Sequence, residues 1–150
     1  MTAFHVYHLQ RQPLEAVLPT LLGRSRERGW RALVKIGSPE RLSALDDHLW
    51  AFSDDSFLPH GTDAEGDAAE QPILLTTGDA NPNGAAILFL AEGAAPPADL
   101  SGLERVALLL DGRDPDAVAA ARILWREMAA GGRETAYWQQ DEAGRWTKRA

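Results

Sequence analysis

The chain has 150 residues, 45% of them hydrophobic, with 22 acidic residues against 15 lysines and arginines and a formal net charge of −7. That length fits one globular domain spanning residues 1–150, able to bury roughly 70% of the surface its unfolded chain exposes. The absence of cysteine excludes disulfides, thiolate catalysis and cysteine-based zinc sites. The charge argues against strong direct nucleic-acid binding, since a polyanion is repelled unless a local basic stripe offsets it. No apolar run approaches the roughly 20 residues needed to span a bilayer, and the first residues lack the charged-then-apolar pattern of a signal peptide. A cytoplasmic protein without membrane association is the expectation.

Helical and strand patterns alternate along the chain, which predicts an α/β layer structure. Phe4–Leu9 reads as a first strand. Its two histidines, His5 and His8, stand at odd spacing and face opposite sides. Leu14, Val17, Leu18, Leu21 and Leu22 form a helical stripe, with Pro19 as an irregularity and Gly29 as a stop. Arg31–Ile36 is a second strand. Ser38 and Pro39 then open a helix, a hydroxyl cap followed by proline at the first helical position. Leu42, Leu45 and Leu49 of that helix face the sheet, and Trp50 lies about 100° round from them, on the flank of the buried face.

Residues 61–71, GTDAEGDAAEQ, are acidic, small and turn-rich, and read as a mobile loop. Pro72–Thr76 and Ala86–Leu90 are short strands separated by the turn-forming GDANPNG. Glu92–Gly102 reads as a loop or short helix. Arg105–Leu110 is a nearly continuous apolar run of the kind expected in a central strand. Asp114 and Pro115 open a last helix that ends near Gly131 and Gly132. Its core face is Ala117, Ala121, Leu124 and Met128, with Val118, Arg122 and Trp125 as a neighbouring row. Glu134–Gln140 and Arg145–Lys148, joined by DEAG, form a hairpin in which Tyr137, Trp138 and Trp146 support one another.

One segment departs from both core and loop composition. Leu45–Gly61, LDDHLWAFSDDSFLPHG, sets Trp50, Phe52, Phe57, Leu58 and Pro59 among four aspartates. That mixture suggests a surface pocket for an apolar anchor with polar surroundings. The alternative is that these rings cap the core beneath the adjacent loop. A catalytic reading is also conceivable, a metal-dependent phosphoesterase using Asp111, Asp54, Asp55 and His60, because α/β folds place chemistry at strand C-terminal ends. It lacks a complete ligand or nucleophile set. LLLDG (Leu108–Gly112) resembles the metal-holding strand end of a P-loop ATPase, but GxxxxGK[ST] is absent and no GxGxxG follows the first strand. Asp111 then reads as a turn former, and no cofactor, metal or catalytic residue is expected.

The motif LW-x5-SF-x-PH (Leu49, Trp50, Ser56, Phe57, Pro59, His60) resembles that of the chi subunit of bacterial DNA polymerase III. The opening FHVYHL, the run Glu27–Trp50 and the closing YWQQDEAGRW fall in the same order, so the resemblance spans Phe4 to Trp146. It implies a three-layer α/β domain, a mostly parallel sheet flanked by helices, with Rossmann-like topology and no nucleotide-binding motif. It also implies a non-catalytic accessory subunit of the replicative polymerase. Such a subunit binds the acidic C-terminal tail of single-stranded DNA-binding protein and links it to the clamp-loader complex, where the psi subunit is the other partner.

By that resemblance the tail pocket comprises Trp50, Phe57, Pro59, His60, Val118, Arg122 and Trp125. The tail ends in acids, an apolar pair and a terminal phenylalanine, so it requires an apolar slot with cations beside it. Arg122 is the candidate cation, since a guanidinium pairs with a carboxylate through two parallel hydrogen bonds. The family carries another basic residue where this chain has Val118. Arg126, Arg133 and Lys35 are the possible substitutes. Trp125 stands where the family often has tyrosine.

Overall fold

The computed structural model describes residues 2–10, 12–51, 60–63 and 66–150, with the side chains of Trp50 and Ala51 outside that description. Among the described residues the elements follow in the order β1 (Ala3–Leu9), α1 (Leu14–Glu27), β2 (Ala32–Ile36), α2 (Pro39–Ala51), β3 (Gly61–Thr62), a 3-10 turn (Ala68–Glu70), β4 (Ile73–Thr76), β5 (Ile87–Ala91), β6 (Arg105–Asp111), α3 (Pro115–Ala130), β7 (Thr135–Gln140) and β8 (Trp146–Lys148). The strands make one eight-stranded sheet in the order β3-β4-β2-β5-β6-β1-β7-β8. All neighbours pair parallel except the closing β7–β8 hairpin.

Side-chain alternation along the strands sorts the core into two faces. Val34, Ile36, Leu75, Phe89 and Leu109 pack with Leu18 and Leu22 of α1 and Leu45 and Leu49 of α2. The intervening residues Leu33, Leu74, Leu88, Val106 and Leu110 pack on the opposite side, with Ala121 of α3. α1 and α2 therefore form one outer layer and α3 the other. The alternating pattern implied an α/β layer structure, and this is the three-layer form of it that the resemblance implied. Central strands β2, β5 and β6 are buried on both faces, which explains their near-continuous apolar runs.

The helix starts follow their sequence signals. The Ser38 hydroxyl accepts the Arg41 N–H at 3.3 Å. The Asp114 carboxylate accepts the N–H groups of Asp116 and Ala117 at the head of α3. α1 runs unbroken through Pro19, where the sequence suggested an irregularity. The segment expected to be a loop at 61–71 is more ordered in its described residues. Gly61 and Thr62 pair with Leu74 and Leu75, and Ala68–Glu70 makes a 3-10 turn. Glu92–Gly102 contains no helix. Among the described residues no helix is long and apolar enough to cross a membrane.

Candidate functional site

Alternation along β1 and β7 sets up the α3 surface. Phe4 and Val6 belong to the α3-side core, and His8, two residues on, points the same way. Tyr137 on β7 faces it, and the His8 Nδ1 and the Tyr137 hydroxyl are hydrogen-bonded at 2.6 Å. His8 is kept neutral chiefly by burial, which lowers its pKa; nearby Arg122 adds to the effect and Asp111 opposes it. Burial raises the Tyr137 pKa, with Arg122 pulling the other way. Both shifts put the Arg122 guanidinium within electrostatic reach of this polar pair.

α3 supplies the rest. Val118, Arg122 and Trp125 lie along one helical row, as their spacing required. Val118 and Trp125 are half-buried against the core while Arg122 is exposed. Trp125 meets Tyr137 edge to face, with ring centroids 5.8 Å apart and an interplanar angle of 76°. No ion pair engages Arg122 among the described residues. A free guanidinium beside an indole, a phenol and an apolar shoulder can take a carboxylate attached to an apolar group. Sequence reading missed His8 and Tyr137 as parts of this surface. The signal was there in their side-chain parity on β1 and β7, but the strand pairing that joins them was not.

Phe57 and Pro59 fall outside the described residues, as does the Trp50 side chain. His60 is buried, with its Nε2 3.1 Å from the Asp46 carboxylate on α2. It shares a face with Thr62, which is in register with Leu75 of the α1/α2 side. The sheet thus separates His60 from the Val118, Arg122 and Trp125 row. Of the possible substitute cations, Lys35 is committed to Asp79 and the Ala95 carbonyl, and the Arg133 guanidinium reaches the Thr2 carbonyl at 3.5 Å.

The phosphoesterase constellation is not assembled. Asp111 ends β6, while His60 precedes β3, four strands away and at the opposite end of the strands. At about 4.8 Å per strand, lateral separation alone approaches 19 Å. Asp54 and Asp55 lie outside the described residues. The Asp111 carboxylate accepts the Arg113 backbone N–H at 3.0 Å, the turn-forming role expected of it, and that bond is the main cause of its lowered pKa. Among the described residues no cluster of three or more His, Asp or Glu side chains could hold a metal ion.

A crevice of about 700 Å³ opens at the C-terminal ends of β1, β5 and β6, where the chain leaves β1 for one layer and β6 for the other. This is where open α/β sheets commonly bind ligands. Its two arginines are neutralised, Arg41 by Glu92 and Arg113 by Asp111. Asp114 and Asp116 add negative charge at its rim. It offers no cradle for phosphates.

The fold and the surface together define a three-layer α/β protein whose outer helix presents a guanidinium beside paired rings. The family model described as "DNA polymerase III chi subunit, HolC" matches residues 1–136. The chain belongs to that family. A curated relative from Rickettsia prowazekii (strain Madrid E), "Probable DNA polymerase III subunit chi", is 24% identical over 106 residues, 71% of this chain and 62% of the relative. The match thus spans less than two thirds of that relative's length.

Proposed function

We propose that this chain is a non-catalytic accessory subunit of the replicative DNA polymerase, working in the cytoplasm. It binds the acidic C-terminal tail of single-stranded DNA-binding protein and links that protein to the clamp-loader complex, with psi as the partner there. The observation that carries the reading is the unneutralised Arg122 standing beside the Trp125–Tyr137 pair. A terminal phenylalanine fits against the rings and the Val118 shoulder, and its carboxylate pairs with the guanidinium. Each contact is modest. Affinity rises when a multimeric partner presents several tails at high local concentration.

Because α2 and α3 lie on opposite faces, the α3 row anchors the proposal. The contacts proposed for Trp50, Phe57 and Pro59 are its second, separately testable half; His60, buried against Asp46, is left out of it. The experiment is a titration of a labelled tail peptide, with and without its terminal phenylalanine, against wild type, Arg122→Ala and Trp50→Ala. The intact peptide binds wild type, and loss of its phenylalanine or of Arg122 weakens binding by at least about 1 kcal/mol. The Arg122 effect shrinks at high salt because the contact is exposed. Equal binding of both peptides to wild type and Arg122→Ala defeats the reading. A loss confined to Trp50→Ala moves the tail to the α2 side.

A further inference from the structure

The opposite face of β1 and β7 carries a second concentration of rings, here surrounded by arginines. Tyr7 and Trp138 sit side by side in register, their ring planes 10° apart and centroids 6.4 Å apart. Trp146 meets Tyr7 edge-on at 5.2 Å. The last turn of α1 and the residues after it bring Arg24 and Arg28 to the same place. Arg105 opens β6 on the α1 side, the side of Ala107 and Leu109. Two of these cations approach Trp30, with the Arg28 and Arg105 guanidinium carbons 4.9 and 5.4 Å from its ring centroid.

These residues line a cleft of about 250 Å³. A second hollow of about 460 Å³ shares Arg24, Trp138 and Trp146 with it and continues to Arg145. Among the described residues no carboxylate pairs with Arg24, Arg28 or Arg105. The Arg105 Nε is buried without a hydrogen-bond partner. This is unexpected in a chain with seven more acids than bases. Local potential is felt at His5, whose pKa falls to about 4, through burial first and then Arg105, Lys148 and Arg28. Compensation of the α1 dipole accounts for Arg24. It does not account for Arg105 on a strand.

We propose that this track is a contact for single-stranded DNA, with a base against the Tyr7–Trp138 surface and neighbouring phosphates on Arg24, Arg28 and Arg105. Aromatic faces interleaved with cations are what sequence-tolerant single-strand binding requires. A peptide of acids alone would leave the rings idle, and a tail with one terminal phenylalanine would meet them once. A strand carries a base beside every phosphate and matches rings interleaved with cations, which favours the nucleic acid. The cleft has room for about one nucleotide, and the hollow beyond Trp146 lets the strand continue toward Arg145. The overall negative charge keeps the contact weak and salt-sensitive, suited to a subunit already held near DNA by its assembly. Three phosphates give a slope of log K against log salt of about −2.

The test uses the full ¹⁵N-labelled chain, whose five tryptophans give five indole N–H signals, and a short oligodeoxythymidylate. The oligonucleotide shifts Trp30, Trp138 and Trp146 and leaves Trp125 in place. In the Arg24→Glu/Arg28→Glu variant, both positions being exposed, affinity drops at least about tenfold at low salt and the salt slope flattens by about 1.4. Unchanged amide signals away from the cleft, with the Trp125 indole in place, verify the fold of the free variant. Absence of shifts at those three indoles, or shifts indifferent to the double substitution, overturns the proposal. So does a stronger response of the same three signals to an acidic, phenylalanine-terminated peptide, which makes the cleft a peptide site.

Discussion

His48 on α2 donates its Nε2–H to the main-chain carbonyl of Glu15 on α1, at 2.9 Å. That carbonyl is the one whose helical donor should be the N–H of residue 19, and residue 19 is a proline. The gap left by Pro19 is thereby filled from the neighbouring helix. It explains how α1 continues to Glu27 without a break, and it ties the two helices of one layer together.

Replacing His48 by alanine should leave the Glu15 carbonyl underbonded and lower unfolding free energy by about 1–2 kcal/mol. In a Pro19→Ala background residue 19 regains its N–H, so the same substitution should cost clearly less. Urea unfolding of the four proteins of this cycle gives the coupling directly. Equal costs in both backgrounds would show that the bond to the Glu15 carbonyl does not compensate for Pro19.

In the site proposed for the tail, Trp125 offers its indole face and is braced by its edge-to-face contact with Tyr137. Trp125→Ala should weaken tail-peptide binding by about tenfold or more, as expected of an aromatic anchor that the bound peptide covers. Trp125→Tyr preserves a flat ring on Tyr137 and should retain most of the affinity. Fluorescence anisotropy with the labelled peptide measures both. Alanine binding as well as tryptophan removes Trp125 from the site.

Much of the fold was legible because each element declares itself locally. Ser38 with Pro39, Asp114 with Pro115 and the apolar run of β6 are short-range signals, and the structure follows them. Gly61–Thr62 was hidden because a two-residue strand has no periodicity, and only its pairing with Leu74 and Leu75 makes it one. The site was half legible. The α3 row follows from helical spacing, but His8 and Tyr137 are 129 residues apart in sequence and meet only through parallel pairing of β1 and β7. Arg105 read as the start of an apolar strand. Its place among cations and rings emerges only when Arg28 and Trp30 are seen around it.

Gly112 is held under His8. A β-carbon there would collide with the His8 Nε2 and Cδ2 and lie 2.9 Å from the Leu9 carbonyl oxygen. The Gly112 N–H also bonds that carbonyl at 2.8 Å, so the backbones cannot part without losing the bond. Gly112→Ala should therefore destabilise the fold by about 1–3 kcal/mol. Because His8 must turn away from Tyr137 to make room, tail-peptide affinity should fall as well. A variant as stable as wild type would mean that the loop after β6 yields without cost.

His5 is one group whose burial makes the fold sensitive to acid. Its Nδ1 accepts the Trp138 indole N–H at 3.4 Å, which fits a neutral ring, and burial with three nearby cations lowers its pKa from 6.5 to about 4. In the unfolded chain the imidazole takes up a proton as pH drops below 6.5, while the folded chain does not until about 4. The unfolded state binds more protons throughout that window, so stability is complete above it and declines as pH falls through it. This group can account for no more than about 3 kcal/mol. His8, also lowered by burial and Arg122, acts in the same direction. Asp99, Asp111 and Asp141 have pKa values lowered from 3.8, so their loss comes at more acidic pH. His5→Asn keeps an acceptor for the indole and removes the titration. Its unfolding free energy should therefore fall less than wild type's between neutral pH and pH 5, measured by urea denaturation. Parallel declines for the two proteins would assign the acid sensitivity to His8 or other groups.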